Sequence, residues 1–270
     1  MLGKLFKYEL RSGVIIFPIM YAAIGLLWLL GRGAVHFEIP QMLVVTAVLL
    51  FLMVIAPIIV AVVYTCVRFH KSLFGAEGYL MQTLPVGKGQ LILVKALLAF
   101  VLLLLGYAAA FVSVAALLDV VGVEDFWSVL KGVFGEMFYN VFIFIIVSSL
   151  IQLISYVGII FFSITLANTK HFVNHNVLFA ILFYLVISFV VGIIESIVLL
   201  VLPLSLKFSD AGTTLVFKSM AGSFSDMLSS AGMFVNSFTI GLGTLIVDVA
   251  AGVGLLIAAK WLMTKKTMVK

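Results

Sequence analysis

IPQMLVVTAVLLFLMVIAPIIVAVVYTCV, residues 39–67, carries no charged side chain from end to end. About 20 apolar residues are enough to cross the roughly 30 Å hydrocarbon core of a bilayer as a helix. This run is longer than that, so as a span it must tilt, kink or extend beyond the hydrocarbon. Pro57 lies inside it and predicts a kink. Outward along the chain the pattern recurs. Residues 12–31, 96–118 and 137–169 are also uncharged, and so are 176–194 and 227–247. The last two continue past a single carboxylate each, Glu195 and Asp248. Hydrophobic residues make up 64% of the sequence and charged residues 10%. A soluble domain has about 45–50% and about 25%, so lipid must be the solvent for much of this chain.

The expected fold class is therefore an all-α polytopic membrane protein, one domain over residues 1–270. Its six transmembrane helices fall near 14–31, 41–67, 93–118, 138–167, 177–205 and 238–260. The net charge of +5 comes from basic residues beside the spans. That placement argues for the lipid bilayer as partner and against nucleic acid. With the N-terminus inside, all but four of the sixteen Lys and Arg residues (Arg32, Lys131, Lys207 and Lys218) face the cytosol. The bias predicts a plasma-membrane protein with both termini cytoplasmic. Lys4, Lys7 and Arg11 before an apolar run resemble a secretory signal, but the run is long and no clean cleavage site follows, so it reads as a retained first span. The lone Cys66 excludes a disulfide within the chain and a cysteine metal cluster.

Residues 1–12, MLGKLFKYELRS, read as an interfacial helix on the inner leaflet. At 100° per residue Lys4, Lys7 and Arg11 share one face, and Leu2, Leu5, Phe6 and Leu10 share the opposite one. Glu9 is the one misfit on the apolar side. At the other side of the membrane, segment 206–237 is rich in Gly and Ser yet keeps Leu215, Val216, Phe217, Met220, Phe224, Met227 and Leu228. Those intervals predict short helices in or on the outer leaflet, a re-entrant segment before span six.

The longest cytosolic connection, 68–92, begins RFHKSLFGAEGYLMQTLPV. Gly75 and Gly78 break the preceding helix, a short helix fits over 77–83, and Pro85 disfavours helix at Leu84. A new helix restarts near Gly87. Tyr79, Leu80, Met81 and Leu84 put apolar surface at a cytosolic tip. Such surface suits either docking to a partner or resting on lipid.

LFKYEL at 5–10 and FHKSLFGAEGYLMQTLPV at 69–86 resemble permease subunits of type-2 ABC exporters, in particular those of Gram-positive bacteria grouped with lantibiotic and antimicrobial-peptide transporters. The plan of interfacial helix, six spans, loop between spans two and three and re-entrant segment is similar over the whole chain. The resemblance implies that Glu77 to Pro85 form a coupling helix seated in a separate ATPase subunit. Tyr79, Leu80 and Leu84 would be its anchors and Glu77 a rim contact, with Thr83 and Pro85 in the same element. It also implies a second permease subunit, identical or homologous, and export of peptides or other amphipathic substrates. ATP and Mg would belong to the partner ATPase. The chain itself has no Walker site, since VGKGQ at 86–90 lacks the earlier Gly and the Ser or Thr after the Lys.

No cofactor, metal site or catalytic residue is expected in the chain. His36, His70, His171 and His175 sit at loops or span ends, away from any plausible nucleophile. Glu195 and Asp248 are translocation-pathway candidates. Intramembrane carboxylates face a bundle interior or water, either lining a path or holding helices together. Two other function classes stay open: a non-transporting membrane subunit of a peptide-sensing or immunity complex, and an ion-coupled carrier built on the two carboxylates.

Overall fold

Every uncharged run except 227–247 folds mainly as a helix in the computed structural model, which describes residues 2–75, 78, 87–122, 128, 131–132, 135–170, 172, 175–209, 212–222 and 237–265. The helices are α1 (Leu2–Val14), α2 (Ile16–His36), α3 (Pro40–Phe74), α4 (Lys88–Val121), α5 (Phe138–Ala167), α6 (Asn176–Val201) and α7 (Gly243–Lys265). Six stretches, one for each of α2 to α7, are long and apolar enough to cross a membrane. The chain is thus a mostly helical, multi-pass membrane protein. Gly75 ends α3 and Lys88 opens α4, where the sequence places the break and the restart. Ile15, itself in right-handed helical conformation, is all that separates α1 from α2.

One expectation fails between α6 and α7. The first part of this connection, 205–209 and 212–216, is strand where short helices are predicted; Met220 to Gly222 are helical as expected, and 223–236, with Phe224, Met227 and Leu228, lie outside the described residues. β1 (Ser205–Ser209), β2 (Gly212–Val216) and β3 (Ser237–Gly241) form an antiparallel sheet in the order β2–β1–β3. The reason is local period. Leu206 and Phe208, and again Leu215 and Phe217, alternate every second residue, a strand period that the helical reading of this first part overlooked. Gly212, at φ +119°, takes a backbone conformation that a side chain would resist, just after the two-residue link of the hairpin. Phe208 is buried against Met137 and Val141, with Phe144, Leu206 and Ile240 around them. Because β3 occupies 237–241, the sixth helix starts at Gly243 and not near 238.

Contacts divide the chain into two compact units, the first built of α1 to α4 and the second of α5 to α7 with the sheet. In the first, Pro57 lies buried inside α3 and has no N–H for the Met53 carbonyl one turn earlier. Ser113 of α4 reaches across, its Oγ 3.0 Å from Met53 O and 2.9 Å from its own Ala109 O. Gly106 of α4 permits this approach. A methyl group there would lie 2.9 Å from Ala61 Cβ and 3.1 Å from Pro57 O. Ile24, Leu50, Ala109 and Val120 close the core of α2, α3 and α4.

Two substitutions test the Pro57 crossing. Ser113→Ala removes the donor that serves Met53 O and should cost about 1 kcal/mol, the net worth of one such hydrogen bond. Gly106→Leu forces α3 and α4 apart and should lower the unfolding temperature in detergent much further. Equal stability of both variants and the parent would refute this account.

Candidate functional site: a carboxylate pair and a buried ion pair

In the second unit, close helix packing builds the first site. A methyl group on Gly158 of α5 would lie 2.7 Å from Gly252 O, and one on Gly252 of α7 would lie 2.8 Å from the Ile154 carbonyl. Only glycine lets α5 and α7 meet backbone to backbone here. One turn before Gly252, α7 carries Asp248, which is 4% exposed and meets the buried hydroxyl of Ser155 on α5. Glu195 of α6 approaches the same carboxylate. Gly243 seats against Val198 O, fixing the start of α7 on the last turns of α6. The three helices thus bring Glu195, Asp248 and Ser155 together. Sequence alone places Asp248 near the middle of its span. With α7 starting at Gly243 it stands in the second turn, about 8 Å along the helix axis at 1.5 Å per residue, and Glu195 is six residues from the end of α6. Both carboxylates therefore sit at the end of the unit where the sheet is attached.

Two ionised carboxylates side by side repel, whereas one proton shared between them turns repulsion into a hydrogen bond. The pair can therefore hold a proton or receive a cation, and Ser155 adds a neutral oxygen beside it.

The second site lies in the first unit and explains the one misfit in the amphipathic pattern of the N-terminus. Glu9 of α1 and Lys95 of α4 are 3% and 2% exposed and form an ion pair. A methyl group on Gly13, one turn on, would touch Leu102 of α4 and Tyr64 of α3 at 3.1 Å. The face of α1 with Glu9 and Gly13 is thus packed on protein. Phe6 is half-buried, while Lys7 and Arg11 are exposed, one turn apart. Lys4 lies in α1, in a part of the helix whose side chains are not described. The second oxygen of Glu9, Oε2, is buried and has no hydrogen-bond partner among the described residues. The pairing itself was not legible in sequence, though a lone carboxylate on an apolar helix face is the signal of a buried cation elsewhere. At the far end of the same unit, the Trp28 indole N–H donates to Asp119 Oδ2 at 2.7 Å and Arg32 approaches Oδ1 at 3.6 Å. That contact is solvent-exposed and worth little as an ion pair.

Glu77, Tyr79, Leu80, Thr83, Leu84 and Pro85 lie outside the described residues. Among the described residues no group of three His, Cys, Asp or Glu side chains is placed to hold a metal ion. No family model matches the chain, and no curated protein or solved structure is significantly similar to it.

Breaking a buried pair by removing one partner costs about 3–5 kcal/mol, whereas replacing both with apolar groups is often neutral. Lys95→Met should therefore destabilise the protein strongly in detergent. Glu9→Leu combined with Lys95→Met should recover most of the loss. A double variant as unstable as the sum of its single changes would show that the two residues do not act as a pair.

Proposed function

We propose that this chain is the permease subunit of an ATP-driven type-2 ABC exporter. Two copies, or this chain and a homologue, would form the path, and two separate ATPase subunits would bind their cytosolic side. In this proposal both termini are cytoplasmic, the membrane is the plasma membrane and the cargo is a peptide or another amphipathic molecule. One observation carries it. α3 and α4, of 35 and 34 residues, are each about 50 Å long at 1.5 Å per residue, well beyond the hydrocarbon thickness. They enclose the segment between Gly75 and Gly87 that resembles a coupling element. Two rigid rods whose ends reach past the lipid suit transmission of a push from a docked ATPase to the spans. Lys95, near the base of one rod, is tied to α1 through Glu9, so the N-terminal helix would move with it.

The carboxylate pair favours a second reading, an ion-coupled carrier in which Glu195 and Asp248 take up a proton or cation. The two readings part on energy source. A carrier moves solute on an ion gradient with no ATPase present.

The first measurement is purification of the chain from its native membrane. A co-purifying nucleotide-binding subunit with ATP hydrolysis is expected, and transport by the isolated chain on an ion gradient would overturn the exporter proposal. Leu80→Asp or Leu84→Asp should abolish co-purification of that subunit while the membrane domain still folds. Wild-type yield of the ATPase with both variants would remove the docking role. Glu195→Gln, which keeps a hydrogen-bonding side chain but no charge, should impair export of cationic substrates more than neutral ones. An equal effect on both would assign the pair to packing.

A further inference from the structure

β2 forms one edge of the three-stranded sheet. On β1 the backbone groups alternate between neighbours. Leu242 N–H bonds Leu204 O beyond the β1–β3 ladder, which sets its phase. Leu206 and Phe208 therefore serve β3, and Ser205, Lys207 and Ser209 serve β2. On β2, by the same alternation, Gly212, Thr214 and Val216 bond β1, while Thr213 and Leu215 turn their N–H and C=O groups outward. The face of β3 at Gly241 lies against α6, where a methyl group would come within 2.7 Å of a Leu199 methyl. Among the described residues nothing pairs with the outward groups of Thr213 and Leu215.

An unpaired edge is ordinarily blunted by charge, proline or a bulge. β2, GTTLV, has no charge and no proline, and it pairs residue for residue with β1. Its inner face is also unfinished. Leu206 and Phe208 on β1 and Ile240 on β3 pack on α5, but Leu215 on the same face is 64% exposed and Phe217 just beyond is 83% exposed.

We infer that β2 is the seam between two copies of this chain, joined edge to edge as antiparallel strands about a two-fold axis at Thr214. The strand is self-complementary for that pairing. Thr213 and Leu215 are symmetric about Thr214, so each outward group meets its complement and four backbone hydrogen bonds form. Thr214 faces its own copy, and Leu215 lies beside Thr213 of the other copy on the face that packs on α5. Lys207 pairs with Thr214 within each sheet. Its two copies would stand three strand spacings apart, about 14 Å, beyond the screening length at physiological salt. The inference rests on the proposal that two permease subunits work together and names where they meet.

Cysteine cross-linking in isolated membranes tests it, in a Cys66→Ser background that removes the one native thiol. Directly opposed residues of a non-hydrogen-bonded antiparallel pair have Cα atoms about 4.5 Å apart, within disulfide reach. Two copies of residue 213, or of residue 215, would be roughly 8 Å apart, out of reach. Thr214→Cys should thus give a disulfide-linked dimer on mild oxidation, and Thr213→Cys and Leu215→Cys should not. Adding Thr213→Pro should reduce the Thr214→Cys product at least several-fold. The N–H it removes points outward, so the hairpin itself loses no bond. Dimer mass of the detergent-solubilised chain is measured in parallel. A dimer without the Thr214→Cys cross-link overturns the seam and leaves the paired-permease reading standing. A monomer overturns both. Cross-linking at Thr214→Cys to a different polypeptide, with no homodimer, overturns it in favour of a foreign extended strand on this edge.

Discussion

In lipid no water is available to bond a bare amide, and every spanning stretch must satisfy its own backbone. That constraint orders the whole molecule. It makes the six long apolar stretches helices, and it governs the exceptions. Pro57 deprives Met53 O of its helical donor, and Ser113 supplies a hydroxyl from the neighbouring helix. That exchange needs α3 and α4 to be close, hence the bare backbone of Gly106. The same logic confines the sheet to the connection between α6 and α7. There, among the described residues, the backbone groups of Thr213 and Leu215 have no internal partner.

Charges inside the helical units follow a related rule. Each is placed against a group that offsets part of its desolvation. Glu9 meets Lys95 in one unit, and Asp248 meets Ser155 and Glu195 in the other. Neither arrangement is the cheapest way to hold helices together, since apolar packing of equal volume does as well or better. One oxygen of Glu9 is even left unsatisfied. Polar groups kept at such a cost are good candidates for parts that move or bind.

The glycines act as spacing elements for these polar groups. Gly158 and Gly252 bring α5 and α7 to backbone contact, and that contact sets Asp248 opposite Ser155. Gly13 seats α1 on α3 and α4, one turn from Glu9. Small residues therefore decide where charge can sit, although they carry none.

The sequence by itself determined the solvent, the number of spans and the breaks at Gly75 and Gly87, because hydropathy and helix-breaking residues act locally. It also marked Glu9, Glu195 and Asp248 as out of place, because one carboxylate in an apolar run is visible without coordinates. It misplaced the start of the last span and the depth of Asp248, because period-2 alternation over five residues is a weak signal beside long apolar runs. Pairing was settled only by tertiary structure. Glu9 and Lys95 are 86 residues apart in the chain, and Ser113 and Met53 are 60 apart. Which side chains meet at such separations depends on how closely two helices pack, and that is set by the interlocking of whole surfaces.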